Sequence, residues 1–407
     1  MQHFHSKKLG NSLQKFWQGT ILSQNWKVIG LLIILTAILS FPIYYQRITQ
    51  PVDSDYGSHI RFAQEFLQTR QLEPATLSHP VMQFILVFMY WASRSRLGLY
   101  ASMIVVQVVV QVLTALIVYF WIGRGDKKNW DWVRALAAVS LTFVGPIVIP
   151  AIWDQQLYYG YIGMANYHNP TIHLLKPIGL VSMMFAIRAL DGKKSAWWVI
   201  LFSALLLSFS AWIKPNYVIA VLPALGLACL IRLLQKRQMD WKMILLGFVL
   251  PGVVNLFFQW LIAYYYGDPE EGIILAPFQV ESSFSDLLLL KFLLSALFPL
   301  LGLWIARKYL LNNSALLAGW TIFVVGVVQN YVLAEGGERL LHGNFRWSGQ
   351  IALFLLFAIL LRWLLREKIL PDRTVLWEKI SGFVVYAAHL AGGVAYYIYC
   401  MISIHYR

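Results

Sequence analysis

The amino-acid sequence predicts an all-α, polytopic membrane protein with about 11 transmembrane helices, forming one integral membrane domain over residues 1–407. Hydrophobic residues make up 59% of the chain and charged residues 13%, a balance too apolar for a soluble fold. The apolar residues fall in runs of about 17–25, long enough to cross a bilayer as helices. Only helices or closed barrels satisfy the backbone in lipid. The predicted spans are 28–45, 101–122, 134–153, 171–190, 196–213, 216–234, 243–265, 287–306, 315–334, 349–365 and 380–401.

The positive charge of the chain follows the predicted topology. The formal net charge is +14, and lysine and arginine concentrate in the N-terminal segment 1–27 and in every second loop after it. This positive-inside pattern predicts a cytoplasmic N-terminus. It accounts for the charge through contact with anionic membrane lipids, so we expect no nucleic-acid partner. The expected location is the cell membrane, as a multi-pass protein of a bacterial plasma membrane.

The segment 81–98 decides which loops share a face. Its apolar part, Val81 to Ala92, has about a dozen residues before Arg94, which is short for a span. If it crossed, every later basic loop would move outside, so we interpret it as a short surface or re-entrant helix. The first extracytoplasmic loop is then 46–98, with juxtamembrane helices. The larger share of the acidic residues falls on this outer face, and chemistry is expected there.

Two carboxylates, Asp53 and Asp55, follow the first span. A helical pattern begins at Asp55 and places apolar residues on one face and charged residues on the other, as in a helix lying on a membrane. Asp55 has two interpretations that the spacing does not separate. It either caps this helix at its N-terminus or acts as a general base facing a cavity.

The next outer loop, 154–170, carries Asp154, His168 and Asn169 just before a span. Polar groups this dense at the entrance of a span are costly unless they face water or a ligand. A helix-start turn at Asn169-Pro170 is the structural alternative. Lys176 lies inside the following helix and is expected to face the same cavity.

Two later loops add cations. Lys214 lies in a short outer turn, where it either reaches the membrane interface or binds a lipid phosphate. Arg339, His342 and Arg346 lie in a glycine-rich loop, and the planar donors of the arginines suit phosphate oxygens. Anchoring of the loop at the interface is the alternative. The loop 266–286 is expected to be merely solvated.

The arrangement of one span followed by an acidic residue and an amphipathic helix resembles the GT-C superfamily of membrane glycosyltransferases. The stretch Asp55-Tyr56-Gly57-Ser58-His59-Ile60 is similar to the acidic element of that family, and Leu77-Ser78-His79-Pro80 is similar to its proline-led element, with one proline where the family often has two. The resemblance implies a GT-C-like helical bundle and singles out Asp55, rather than Asp53, as the catalytic acid position.

The resemblance further implies transfer of a sugar from a polyprenyl-phosphate-linked donor to an envelope glycan or a lipid-linked acceptor. Asp55 would be the general base, and cations among Lys176, Lys214, Arg339 and Arg346 would hold the phosphate. His79 or His168 would orient a substrate, and Asp53, Asp154, Asn169 and His342 are further candidates for substrate binding. No nucleotide, metal or cofactor motif is present, and two isolated cysteines form no metal site. A polysaccharide polymerase or ligase with a lipid-diphosphate donor, and a transporter of a lipid-linked solute, are the alternatives.

Overall fold

The computed structural model describes residues 25–50, 54–72, 76–123, 130–265, 272–366 and 373–403. It is an all-α, polytopic membrane protein, as predicted: nine of the helices in this part of the chain are long and apolar enough to cross a membrane. The helices are α1 Trp26–Thr49, α2 Asp55–Thr69, α3 Val81–Ala92, α4 Leu99–Ile122, α5 Trp130–Leu141, α6 Ala151–Asp154, α7 Pro170–Leu190, α8 Trp197–Ile213, α9 Asn216–Leu234, α10 Trp241–Ala263, α11 Gln279–Ser282, α12 Leu288–Ala306, α13 Ser314–Val332, α14 Arg346–Arg366 and α15 Arg373–Ile402.

Two of the eleven predicted spans are not among these nine helices: 196–213 forms α8, a shorter apolar helix of 17 residues, and 134–153 is wrong as a span. Residues 134–153 do not form a single helix, because α5 ends at Leu141 and the chain runs on without helical structure to Pro150. Pro146 and Pro150 lack a backbone N–H and clash with a preceding helical turn. Non-helical backbone is tolerated at membrane depth only where protein buries it or where it lines a water-filled cavity. Here Gln111 donates its side-chain amide to the carbonyl of Thr142, at 2.9 Å.

The segment 142–150 is held by α12 and α15. The N–H of Ile147 donates to the carbonyl of Leu294 in α12 at 3.2 Å. The N–H of Phe298, four residues further along α12, donates to Nε2 of His389, also at 3.2 Å. Nδ1 of the same histidine donates to the carbonyl of Gly145 at 2.8 Å. Both ring nitrogens of the buried His389 are therefore used, and its neutral tautomer is fixed.

Two glycines of α15 allow this contact. A Cβ atom added to Gly393 would lie 1.9 Å from the carbonyl oxygen of Phe143, and one added to Gly392 would lie 2.0 Å from that of Pro146. Real Cβ atoms do not approach backbone so closely. Only glycine at both positions lets α15 pack directly on the segment 142–150.

The predicted outer loops meet at one end of the bundle. The N–H of Asp55 donates to the carbonyl of His168 at 2.9 Å, which joins the first loop to the second. The strands β1, Ile273–Leu275, and β2, Leu333–Glu335, pair antiparallel and join the loop 266–286 to the start of the glycine-rich loop before α14. The helix α3 lies within the first loop, 46–98, and its 12 residues extend about 18 Å, well short of the roughly 30 Å hydrocarbon core. It was expected to be a short helix, and it is one.

Candidate functional site

A polar cavity of about 460 Å³ lies at the end of the bundle where these loops meet. The cavity gathers side chains from the loop 46–98, the loop 154–170, the turn that carries Lys214 and the glycine-rich loop before α14. Seven predicted site residues line it: Asp55, His79, His168, Asn169, Lys214, His342 and Arg346. The sequence interpretation did not single out the other lining residues, which are Ser58, His59, Phe62, Thr76, Tyr158, Tyr159, Thr171, Leu341, Asn344 and Trp347.

Asp55 is held by a hydrogen bond to the loop 154–170. It is the first residue of α2, while Ser54 occupies the N-cap position and makes no side-chain cap bond. The carboxylate of Asp55 accepts a short hydrogen bond from Nδ2 of Asn169. The structure therefore does not use Asp55 as the N-cap of α2. It presents the carboxylate to the cavity from a helix start, where the helix dipole favours negative charge.

Asn169 has a structural role as well. Its Oδ1 accepts from the N–H groups of Thr171 and Ile172, both at 3.1 Å, and so caps α7. Oδ1 of Asn166 accepts in turn from the N–H groups of His168 and Asn169, at 3.1 and 3.0 Å. The helix-start turn that was the alternative for Asn169 is present, and the same side chain also holds Asp55. One amide thus fixes the position of the carboxylate relative to α7.

Arg346 is a buried cation beside the cavity. Arg346 is the first residue of α14, and it is 5% exposed. Its Nε donates to Oε1 of Glu281 at 2.8 Å. The guanidinium carbon also lies 4.9 Å from the centroid of the Tyr159 ring. Nη2 has no hydrogen-bond partner among the described residues. A buried donor without a partner costs free energy, which makes this nitrogen a candidate for contact with a ligand.

Lys214 is the second cation of the cavity. It is buried rather than extended to the membrane surface, and its ammonium nitrogen lies 4.8 Å from the centroid of the Trp347 ring. Burial lowers the pKa of Lys214 to about 8, although the charges of Asp55 and Glu335 favour its protonated form.

The position of the Lys214 turn relative to His79 is fixed by Gln259. Its Nε2 donates to the carbonyls of Ala211 and Ser78, at 2.7 and 2.8 Å, which connects the end of α8 to the turn that carries His79.

Two histidines of the cavity are neutral at pH 7. Nδ1 of His59 accepts from the amide nitrogen of Gln83 at 3.0 Å, and Nδ1 of His79 lies 2.8 Å from Oγ of Ser78. Burial lowers the pKa of His59 to about 3, helped by the charges of His79 and Lys214. Burial lowers the pKa of His79 to about 4, helped by the charges of Lys214 and Arg339. Neutral imidazoles suit hydrogen bonds to hydroxyl groups.

The two histidines predict an acid-sensitive fold. In the unfolded chain a histidine has a pKa of about 6.5, whereas His59 and His79 titrate near 3 and 4 when folded. Between pH 6.5 and 4 the unfolded chain binds protons that the native protein does not, so the free energy of unfolding falls as the pH falls. Thermal unfolding in detergent from pH 7.5 to 4.5 measures this slope. The double variant His59→Gln/His79→Gln should make this slope shallower, and an unchanged slope would contradict the prediction.

Three of the predicted residues that the structure describes do not line the cavity. Asp154 pairs with Nζ of Lys291 at 2.5 Å and accepts from Oγ of Ser285 at 2.6 Å. Nζ of Lys176 donates to the carbonyl of Met164 at 2.8 Å, inside the protein. Arg339 lies on the 3₁₀ helix Gly337–His342, outside the lining, and acts on His79 through its charge. Asp53 lies outside the described residues.

Glu281 was missed. It comes from the loop 266–286, which was expected to be merely solvated, and it is 1% exposed. Besides Arg346 it binds the N–H of Gly160, which its Oε2 accepts at 3.3 Å. Glu281 lies among polar residues and far from Arg346 in sequence, so the sequence did not predict that the two residues pair. Asp268, Glu270 and Glu271 of the same loop lie outside the described residues.

The site is a carboxylate and two buried cations around one cavity at the end of a multi-pass membrane bundle. Among the described residues, no three histidine, cysteine or acidic side chains are grouped so as to hold a metal ion. No protein-family model matches the chain, and no curated protein matches it.

Proposed function

We propose that this protein is a membrane glycosyltransferase that moves a sugar from a polyprenyl-phosphate-linked donor to an envelope glycan or a lipid-linked acceptor. One observation carries the proposal: Asp55 lines the same cavity as the buried cations Lys214 and Arg346. A carboxylate is the group that such a reaction needs at the attacking hydroxyl. Cations are the groups that it needs at the departing phosphate.

The proposed reaction is an inverting displacement. An acceptor hydroxyl attacks the anomeric carbon, and its proton passes to the carboxylate of Asp55. The new bond joins the acceptor oxygen to the sugar, while the bond from the anomeric carbon to the phosphate oxygen breaks. The electron pair leaves with the polyprenyl phosphate, whose growing negative charge Arg346 and Lys214 stabilise. The phosphate is a good leaving group, so no general acid is required.

An apolar cleft of about 500 Å³ supports a lipid-linked donor. It lies between α12 and α13 and is lined by apolar side chains that include Phe278 and Tyr331. Phe278 is three residues before Glu281, the partner of Arg346. The loop around α11 therefore borders both the cleft and the phosphate-binding cation. A polyprenyl chain in the cleft would have its phosphate near Arg346.

The contacts of the buried lysines argue against the transport alternative. A transporter would need Lys176, Lys214 and Lys291 to form a substrate path. Lys176 is bonded to the carbonyl of Met164, and Lys291 is bonded to Asp154 and to the carbonyls of Gln156 and Tyr159. These bonds support a role of both lysines in holding the loop 154–170. A polymerase or ligase with a lipid-diphosphate donor would use the same cavity residues.

The proposal is tested with purified protein in detergent and radiolabelled polyprenyl-phosphate sugars. Consumption of the donor, with release of polyprenyl phosphate and label in a glycan or lipid product, is the expected result. Donors with one and with two phosphates, compared side by side, separate the transferase from the polymerase or ligase. Flux of solute into liposomes without consumption of any donor would contradict the proposal and favour transport.

A further inference from the structure

A second polar cavity, of about 450 Å³, lies at the opposite end of the bundle. We call it the basic cavity. The helix α7 begins at the polar cavity with Pro170 and reaches the basic cavity with Arg188, near its C-terminus. In the same way α14 starts with Arg346 and brings Arg362 to the basic cavity. It belongs to the end that the charge pattern predicts to be cytoplasmic.

The charge of the basic cavity is positive. Arg188, Lys193 and Arg362 line it, and Asp191 is the one acidic residue among its described lining residues. Asp191 is engaged by Nζ of Lys193, at 3.3 Å. The two arginines come from separate helices, so their convergence on one cavity is a feature of the folded protein. A row of positive-inside charges along the membrane would not by itself produce it.

The walls of the basic cavity are built by internal contacts. Nε of Arg362 donates to the carbonyl of Trp121 at 2.8 Å, which fixes the arginine against the end of α4. On the other side, the turn before α13 is held by Arg237, whose Nη2 donates to Oδ1 of Asn312 at 2.7 Å. Oδ1 of Asn313 caps α13 by accepting from the N–H of Ala315 at 2.9 Å. The positive end of that helix adds to the field of the arginines.

One wall of the basic cavity is apolar. Trp121, Met184 and Ile187 line it beside the charged residues. A free inorganic anion would gain nothing from these side chains. A ligand with a phosphate and an adjoining hydrocarbon or glycerol part would use both walls.

We propose that the basic cavity binds the phosphate of an anionic phospholipid, because Arg188 and Arg362 converge there from separate helices beside an apolar wall. Basic pockets between helices at the cytoplasmic side of a membrane protein suit lipid head groups of this kind. This site is independent of the polar cavity and of any transfer reaction. A soluble phosphate compound could offer the same phosphate group to the two arginines. The apolar wall favours a lipid as the source of that phosphate.

Native mass spectrometry and exchange in nanodiscs test the proposal. Wild-type protein is offered phosphatidylglycerol, phosphatidylcholine, glycerol phosphate or inorganic phosphate. We expect retention of phosphatidylglycerol over phosphatidylcholine, and no displacement by millimolar glycerol phosphate or inorganic phosphate. Displacement of the lipid by either soluble phosphate, or equal retention of the two lipids, would overturn the assignment.

Variants locate the bound lipid. Arg188→Gln and the double variant Arg188→Gln/Arg362→Gln should weaken retention of phosphatidylglycerol, by about fivefold for each cation removed. Arg307→Gln removes an exposed arginine that stacks on Trp304 at another basic loop, and should leave retention unchanged. Because Arg188 is exposed, its single variant is expected to fold even where the double variant does not. Retention that falls equally in Arg307→Gln would show binding by general charge and contradict the site.

Discussion

Replacement of Asp55 by asparagine is expected to reduce the proposed sugar transfer by about 10²–10⁴-fold, the range for loss of a general base. Asparagine has the same shape, and its carbonyl oxygen can still accept from Nδ2 of Asn169, so the contact between α2 and α7 is kept. Only the ability to take a proton is removed. Transfer from a radiolabelled polyprenyl-phosphate sugar measures the effect, with thermal unfolding as the check on folding.

A matched control lies on the same helix. Glu65 is a half-buried carboxylate outside the cavity lining, its nearest oxygen is 3.6 Å from Nη1 of Arg61, and Glu65→Gln should leave transfer unchanged. Asp53→Asn provides a second comparison, since Asp53 is two residues from Asp55 in sequence. Full transfer by Asp55→Asn, with loss of transfer in Asp53→Asn, would assign the base to Asp53 instead.

Replacement of Arg346 by glutamine is expected to lower both the free energy of unfolding and the rate of the proposed sugar transfer. Glu281 would be left as a buried, uncompensated carboxylate, and breaking a buried ion pair costs about 3–5 kcal/mol. Cys229 and Cys400 are buried free thiols. A thiol-reactive dye therefore reports unfolding, and the variant should unfold at a clearly lower temperature than the wild type.

The double variant Arg346→Gln/Glu281→Gln separates the two roles of the arginine. It removes both charges, and the glutamine at 281 keeps a carbonyl for the N–H of Gly160, so most of the stability should return. Transfer should stay about 10²–10³-fold below the wild type, as when a group that stabilises developing negative charge is removed. Recovery of transfer together with stability would mean that Arg346 serves the fold alone.

The long apolar helices could be predicted from sequence because their signal is local. Runs such as 216–234 have the composition and length of a span, and the helix Asn216–Leu234 matches that run. The break after Leu141 was missed although Gly145, Pro146 and Pro150 mark it in sequence. Composition alone made 134–153 look like a span, and the partners that stabilise the break, Leu294 and His389, lie far along the chain.

The candidate site was predictable to a similar extent. Asp55, His168 and Asn169 stood out because polar residues at the entrance of an apolar segment are unusual. Glu281 and His59 did not stand out, since their roles depend on Arg346 and Gln83, which no spacing rule connects to them. Conversely, Lys176 has the right position on its helix but bonds to a carbonyl inside the protein. Pairings across the bundle decide which polar residues reach the cavity.

The contact of α15 with the segment 142–150 has a consequence for biosynthesis. His389 and Gly145 are 244 residues apart in sequence, a distance that a ribosome covers in roughly 12–50 s at 5–20 residues per second. Until α15 emerges, the carbonyl of Gly145 lacks its partner, and the backbone from Phe143 to Pro146 lacks its cover from lipid. We therefore expect this segment of a nascent chain to be sheltered, by the insertion machinery or by water, until α15 is inserted. The cover of the segment 142–150 is therefore completed only when α15 packs against it.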